Sequence, residues 1–135
     1  MQSEELEKRK LIWHSIKPET KPDWVENEDA EPPFADIRSE NAIKLITENE
    51  IQIIDVRFDW EYKHYHIPDA VLIPLPELEH RFIEVDPDKT TLVVCEHGVR
   101  SVDACCYLNM MGMPVKNIFN LEGGMACYSG PVEKN

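Results

Sequence analysis

From Phe34 onward, short apolar or β-branched runs alternate with segments of helical pattern, and this alternation narrows the possible folds more than any other property of the chain. Thr91 to Val94 is the plainest run, with no charged residue to mark a solvent face. The patterning predicts a weak strand over Phe34 to Ile37, a helix capped by Ser39 and reaching about Asn49, and a strand over Ile51 to Val56. A strand from Val71 to Ile73 then ends at Pro74, and Glu77 to Ile83 is a short helix. After Thr91 to Val94, a helix runs from Ser101 to Met111, stopped by Gly112 and Pro114, and Asn117 to Leu121 is the last strand. Strands this apolar, separated by helices, pack as a mostly parallel sheet covered on both faces, the α/β class. Ligands of such sheets sit at the carboxyl ends of the strands.

The residues before Phe34 read differently. Ser3 to Ser15 interleaves Glu and Lys as a short polar helix does, with Leu6, the Lys10 stem and Trp13 near one face. Ile16 to Pro33 is Pro-rich and acidic, which suits an extended arm. The expected division is therefore 1–33, an N-terminal helix and arm, and 34–135, the folded domain. Trp13 and Trp24 are placed either to pin the arm to that domain or to dock it on a partner protein or a second copy of the chain. Met1 to Lys10 lacks the apolar segment of a signal peptide, and no run is long enough to cross a bilayer, so a cytoplasmic location is expected. The four cysteines, Cys95, Cys105, Cys106 and Cys127, show no paired C-x-x-C spacing, so free thiols are expected and no metal or other cofactor is assigned. A formal net charge of −12 argues against nucleic acid as a partner. It also means that an anionic substrate must be held by short-range donors rather than drawn in by the overall field.

The chemistry concentrates in Cys95-Glu96-His97-Gly98-Val99-Arg100-Ser101, a turn between the Thr91 strand and the next helix. Backbone N–H groups of such a turn converge, the helix presents its positive end, and Arg100 adds a cation, all of which favour Cys95 as a thiolate nucleophile. Gly98 permits a turn that a side chain would oppose. Arg100 offers a planar fork of donors for an oxyanion or for a charged sulfur. A buried, inert cysteine at a strand end is the competing reading.

Around this loop stand Asp55-Val56-Arg57, Trp60-Glu61-Tyr62, His66-Ile67-Pro68 with Ala70, Ile73-Pro74-Leu75 and Asn120-Leu121-Glu122-Gly123-Gly124. Through these motifs, in this order, the chain from Phe34 onward resembles the single-domain rhodanese family of sulfurtransferases. The resemblance implies a three-layer α/β/α domain with a five-stranded parallel sheet, the N-terminal extension lying outside it. It also implies a transferase that carries sulfane sulfur as a persulfide on Cys95, assisted by Arg100, with Glu96, His97, Gly98, Val99 and Ser101 forming the substrate loop. Four residues separate Cys95 from Arg100. Related phosphatases place five there, so phosphatase or arsenate chemistry ranks below sulfur transfer.

Several residues depart from the pattern or invite a second role. Glu96 stands where many members carry a basic residue, and its carboxylate opposes both a thiolate and a bound anion, which points to a donor less charged than thiosulfate. His97 either compensates or faces solvent. Asp55, Arg57 and Glu61 are expected to support the site structurally, Arg57 and Glu61 clamping the connection four residues apart, and Asp55 accepting N–H groups of a neighbouring loop. Tyr65 and Asp69 replace the family's glycines around His66-Ile67-Pro68, and Tyr65 would not tolerate a positive φ. Cys105 and Cys106 cannot both face one way on a helix, so at least one fills the core. Cys127, beyond Gly123-Gly124, is one possible disulfide partner for Cys95 at the strand ends, and Met110, Met111 and Met113 are expected to pack the core and helix end. The reading is a sulfurtransferase taking sulfur from a small-molecule or protein persulfide and passing it to a thiol, cyanide or a protein acceptor. Its rival is a non-enzymatic binding module of the same fold.

Overall fold

The computed structural model describes Glu4, residues 7–9, Trp13 and residues 32–134. Five strands form one sheet: β1 (Ala35–Ile37), β2 (Gln52–Asp55), β3 (Val71–Leu72), β4 (Thr91–Val94) and β5 (Ile118–Leu121), in the order β1-β5-β4-β2-β3 with every pairing parallel. Helices α1 (Ser39–Glu48), α2 (Asp59–His64), α3 (Leu78–Arg81), α4 (Arg100–Met110) and α5 (Gly124–Cys127) connect them, with 3₁₀ turns at Leu75–Glu77, Phe82–Glu84 and Val115–Asn117. The α/β architecture and the expected strands are present. The predicted Glu77 to Ile83 helix is instead a broken run of 3₁₀, α and 3₁₀ turns from Leu75 to Glu84. Helices α2 and α5 were not expected, being too short to show a 3.6-residue period. Ser39 is the first helical residue rather than the cap, and its Oγ instead accepts the Ser129 N–H at 2.9 Å, tying the start of α1 to the C-terminal segment.

The central strands β2 and β4 carry apolar runs because both their faces are buried, β4 along its whole length. Along β4, Leu92 and Val94 enter one core with Ala42, Ile53, Ile67, Ala70, Leu121 and Met125, while Val93 and Cys95 enter the other with Ile54, Val56, Leu78, Val85, Ala104, Cys105 and Leu108. Successive side chains of a strand point to opposite faces, so the two clusters define the two helix-covered layers. Cys105 and Met113 are fully buried in the second cluster, whereas Met110 is exposed. Burial pushes the Cys105 thiol far up, which keeps it protonated and inert.

The second cluster reaches outside the 34–135 segment. Glu4, residues 7–9 and Trp13 are helical, and Trp13 is 6% exposed, its ring edge-on to Phe82 at 5.1 Å and its Nε1–H donating to the Val85 carbonyl at 2.9 Å. Trp13 thus packs into its own chain's core, and Arg9 donates to the Glu84 carbonyl beside it. Trp24 and most of the Pro-rich arm lie outside the described residues. Trp13→Ala is expected to destabilise the protein by about 3 kcal/mol, since it removes a buried ring and orphans a hydrogen-bonded carbonyl; urea unfolding monitored by circular dichroism checks this. Among the described residues no helix is long and apolar enough to cross a membrane.

Strand β2 is flanked by β3 on one side and β4 on the other, so the chain reverses direction of travel across the sheet between β2 and β4. A crevice opens at the carboxyl ends of strands where this reversal occurs. Arg57 follows β2 and Cys95 follows β4, so the topology delivers both to that crevice.

Candidate active site

The loop from Cys95 to Val99 turns back over the end of β4 before α4 begins at Arg100. Its shape depends on two glycines. Gly98 has φ +83°, and a Cβ there would stand 2.9 Å from the Gly123 nitrogen; Gly124 has φ +65°, and a Cβ there would stand 2.5 Å from the Cys95 carbonyl oxygen. Neither position admits a side chain. In return, the first turn of α5 grips the loop: Met125 N–H donates to the Cys95 carbonyl at 2.8 Å and Ala126 N–H to the Glu96 carbonyl at 2.9 Å.

Cys95 is 1% exposed, and its sulfur has two polar partners. Gly98 N–H donates to Sγ at 3.1 Å, and Ser101 Oγ, on the first turn of α4, lies at 3.2 Å. Ser101 donates in turn to Asn120 Oδ1 on β5, and Asn120 Nδ2 donates to Asp36 Oδ1 on β1 at 2.9 Å. Asp36 had no signal in the sequence beyond its place in a weak strand. Asn120 belongs to the Asn120-to-Gly124 motif, but nothing there marked it as a partner of the loop.

The arginines and carboxylates pair across elements, not along them. Arg57, fully buried, holds both Asp55 oxygens through Nε and Nη2 at 2.9 to 3.1 Å, donates to the Tyr65 carbonyl at 2.6 Å, and reaches Glu96 Oε1 through Nη1 at 3.1 Å. Burial alone would push the Arg57 guanidinium down, but Asp55 and Glu96 more than reverse that, so it stays charged. Glu61 pairs with Arg100 through two parallel bonds of 2.8 Å, and its Oε1 also accepts the Phe58 N–H at the start of α2. The expected Arg57–Glu61 clamp is therefore corrected: Arg57 reaches Glu96 on the Cys95 loop and Glu61 pairs with Arg100 at the start of α4, so neither holds the other. Asp55 accepts the Arg57 N–H and side chain rather than loop amides, and it reaches the loop only through Arg57 and Glu96.

Glu96 is turned aside from the sulfur's donors. Its carboxylate lies between Arg57 Nη1 and the Tyr65 hydroxyl, which donates to Oε2 at 3.3 Å. Tyr65 has φ −168°, extended backbone that any residue adopts, so replacing the usual glycine causes no strain; Asp69, with φ +70°, takes the left-handed turn. His97 is exposed, as is Cys127, and all four cysteines are free thiols. Beside Glu96 a depression of about 360 Å³ is lined by Arg57, Trp60, Glu61, His64 and Tyr65. Trp60 and Val99 stand at its rim and at the loop tip, 72% and 70% exposed, and the Arg100 guanidinium lies 5.7 Å from the Phe58 ring centre.

Arg100, by its hydrogen bonds, holds the Glu61 carboxyl below the usual carboxylate range. A depressed folded-state value gives stability that is present above the ordinary carboxylate titration, near pH ~4.3, and is lost as pH falls through the folded value. Glu61→Gln is therefore expected to flatten the acid limb of a stability-versus-pH curve, with the difference between the two proteins shrinking at the acid end; acid titrations followed by circular dichroism check it.

Comparison with known proteins fits this geometry. A family model described as a rhodanese-like domain matches residues 39–130. The chain is 34% identical over 87 residues, 64% of its length, to a Bacillus subtilis protein named putative sulfurtransferase YtwF, of which it covers 82%. It is 28% identical over 105 residues to the thiosulfate sulfurtransferase GlpE of Pseudoalteromonas translucida, covering 75% of this chain and 98% of that protein. The crystal structure of a rhodanese-like domain protein from Staphylococcus aureus superposes with a TM-score of 0.69 at 29% identity, covering 76% of this chain and 99% of the other.

Proposed function

The chain belongs to the rhodanese-like domain family, and we propose that it is a sulfurtransferase whose Cys95 takes a sulfane sulfur as a persulfide and yields it to a second nucleophile. The observation that carries this reading is the Gly98 N–H donating to Cys95 Sγ within a loop clamped by α5. A sulfur so held keeps its place as negative charge comes and goes, and Gly98 offers that charge a fixed donor. The first half-reaction is a displacement: the Cys95 sulfur forms a bond to the donor's outer sulfur, and the bond between that sulfur and the rest of the donor breaks, leaving the donor as a thiolate or sulfite. In the second, an acceptor thiol or cyanide attacks the outer sulfur of the persulfide and Cys95 leaves as the thiolate. The names of relatives such as YtwF and GlpE support the same reaction class.

The pairing of both arginines bears on the donor. Arg57 already carries Asp55 and Glu96, and Arg100 already carries Glu61, so three carboxylates meet two guanidiniums around the loop. A dianion entering here meets no unengaged guanidinium. A persulfide of lower charge, on a small thiol or on a protein, fits better, and the exposed Trp60 and Val99 supply apolar surface for such a partner. The test is thiocyanate formation by the full chain with cyanide as acceptor and either thiosulfate or glutathione persulfide as donor. Parallel double-reciprocal lines are expected, as a ping-pong mechanism requires, with higher kcat/KM for the persulfide. A strong preference for thiosulfate would overturn the assignment of donor, and no transfer from either would overturn the function.

A further inference from the structure

Hydrogen-bond directions around the Cys95 sulfur are fixed from the surface inward. Asp36, on the exposed edge strand β1, is acceptor-only as a carboxylate, so the Asn120 amide must turn Nδ2 toward it, as it does at 2.9 Å. That turns Asn120 Oδ1 toward Ser101, which spends its single hydroxyl proton there. Ser101 Oγ is then left as an acceptor facing Cys95 at 3.2 Å, a bond that only the S–H of a neutral thiol can supply. A thiolate would have one donor, Gly98 N–H, unless Ser101 swung its proton to the sulfur and orphaned Oδ1 of Asn120, a residue 2% exposed.

We propose that Asp36 and Asn120 are positioning residues that hold the Ser101 proton away from Cys95, keeping the resting nucleophile a thiol until the Ser101 hydroxyl turns to the sulfur. This rests on Cys95 being the nucleophile, and it gives the site a proton rotor that the loop sequence alone does not reveal. No covalent step is involved: the Cys95 proton leaves to solvent or base, and one hydrogen bond is exchanged for another. The other ionisable groups on the elements around the sulfur are Arg100, Glu96, Cys105 and, on the loop itself, the exposed His97. Arg100 is held by Glu61, Glu96 is held by Arg57, and Cys105 on α4 is kept protonated by burial.

The test follows thiolate ultraviolet absorbance against pH in the full chain carrying Cys106→Ser and Cys127→Ser, with the same protein lacking Cys95 as blank. Asn120→Leu, which changes no charge, is expected to move the curve toward acid by about one pH unit, or roughly tenfold more thiolate on its rising limb. Asp36→Ala frees the amide to flip and is expected to move it in the same direction. Adding either change to Ser101→Ala is expected to move nothing further, because the rotor is gone. Curves for both variants that coincide with the parent would overturn the proposal. So would shifts of equal size in the Ser101→Ala background, which would mean that the residues act through general electrostatics. If Asn120→Leu does not fold, Asp36→Ala on the exposed strand decides by the same comparison. The readout requires no sulfur transfer, so coincident curves would leave the catalytic reading standing, and a protein without transferase activity would still show the rotor.

Discussion

Cys95→Ser is expected to lower sulfur transfer by at least about a thousandfold, because an alcohol cannot hold sulfur as a persulfide and no other thiol occupies the loop. Cys105 is the nearest alternative in sequence on α4, but it is buried in the core and kept protonated. The same substitution is expected to change stability by no more than about 1 kcal/mol, since serine is of similar shape and its Oγ can take the Gly98 N–H bond that Sγ now accepts. Thiocyanate assays and urea unfolding on the same preparation separate the two effects. Residual transfer above a few per cent of wild type would move the nucleophile elsewhere, to Cys106 or Cys127.

Arg57→Ala is expected to have the largest effect on stability, a loss of about 3 to 5 kcal/mol. Its guanidinium is buried, and it serves Asp55, itself fully buried, together with Glu96 and the Tyr65 carbonyl. Truncation leaves the Asp55 carboxylate with the Arg57 backbone N–H and no cation, an uncompensated charge in the core. Activity should fall as well, because Glu96 loses the tether that turns it away from the sulfur. Arg57→Lys keeps the charge but not the fork, and should recover only part of the loss. Urea unfolding of the three proteins checks this; an Arg57→Ala protein within about 1 kcal/mol of wild type would show that the network is not held as described.

Most of the sheet was readable because its strands advertise themselves. Ile53, Ile54, Leu92, Val93 and Val94 are buried on both faces, so no polar residue interrupts them. Cys95 was legible for a related reason: a strand that stops at Cys, followed by Gly and Arg and then a helical pattern, leaves the thiol at the sheet's carboxyl edge whatever the details. What the sequence withheld is the pairing of charges across elements. Arg57 and Glu61 sit at helical spacing and invite a local clamp, yet Asp59–His64 begins only after Phe58, so Arg57 lies on the loop and turns to Glu96 instead. Glu96 read as an electrostatic penalty because its partner, 39 positions earlier, is supplied by the parallel pairing of β2 with β4. The Asp36–Asn120–Ser101 chain was invisible for the same reason, its members being brought together by β1 and β5 lying side by side. The sequence left Trp13 to pin the arm to this domain or to dock it on another chain, and its site beside Phe82 and Val85, which decides for the first, belongs to tertiary packing.

The central claim is that the Cys95 sulfur, and no other, receives the transferred atom. Intact-mass analysis of the full chain after treatment with a persulfide donor and removal of excess tests it directly, with fragmentation to locate the gain. One added sulfur atom on Cys95, absent from Cys95→Ser and discharged by cyanide, is the predicted result. An unmodified protein across several sulfane donors, or an adduct that persists in Cys95→Ser, would contradict it.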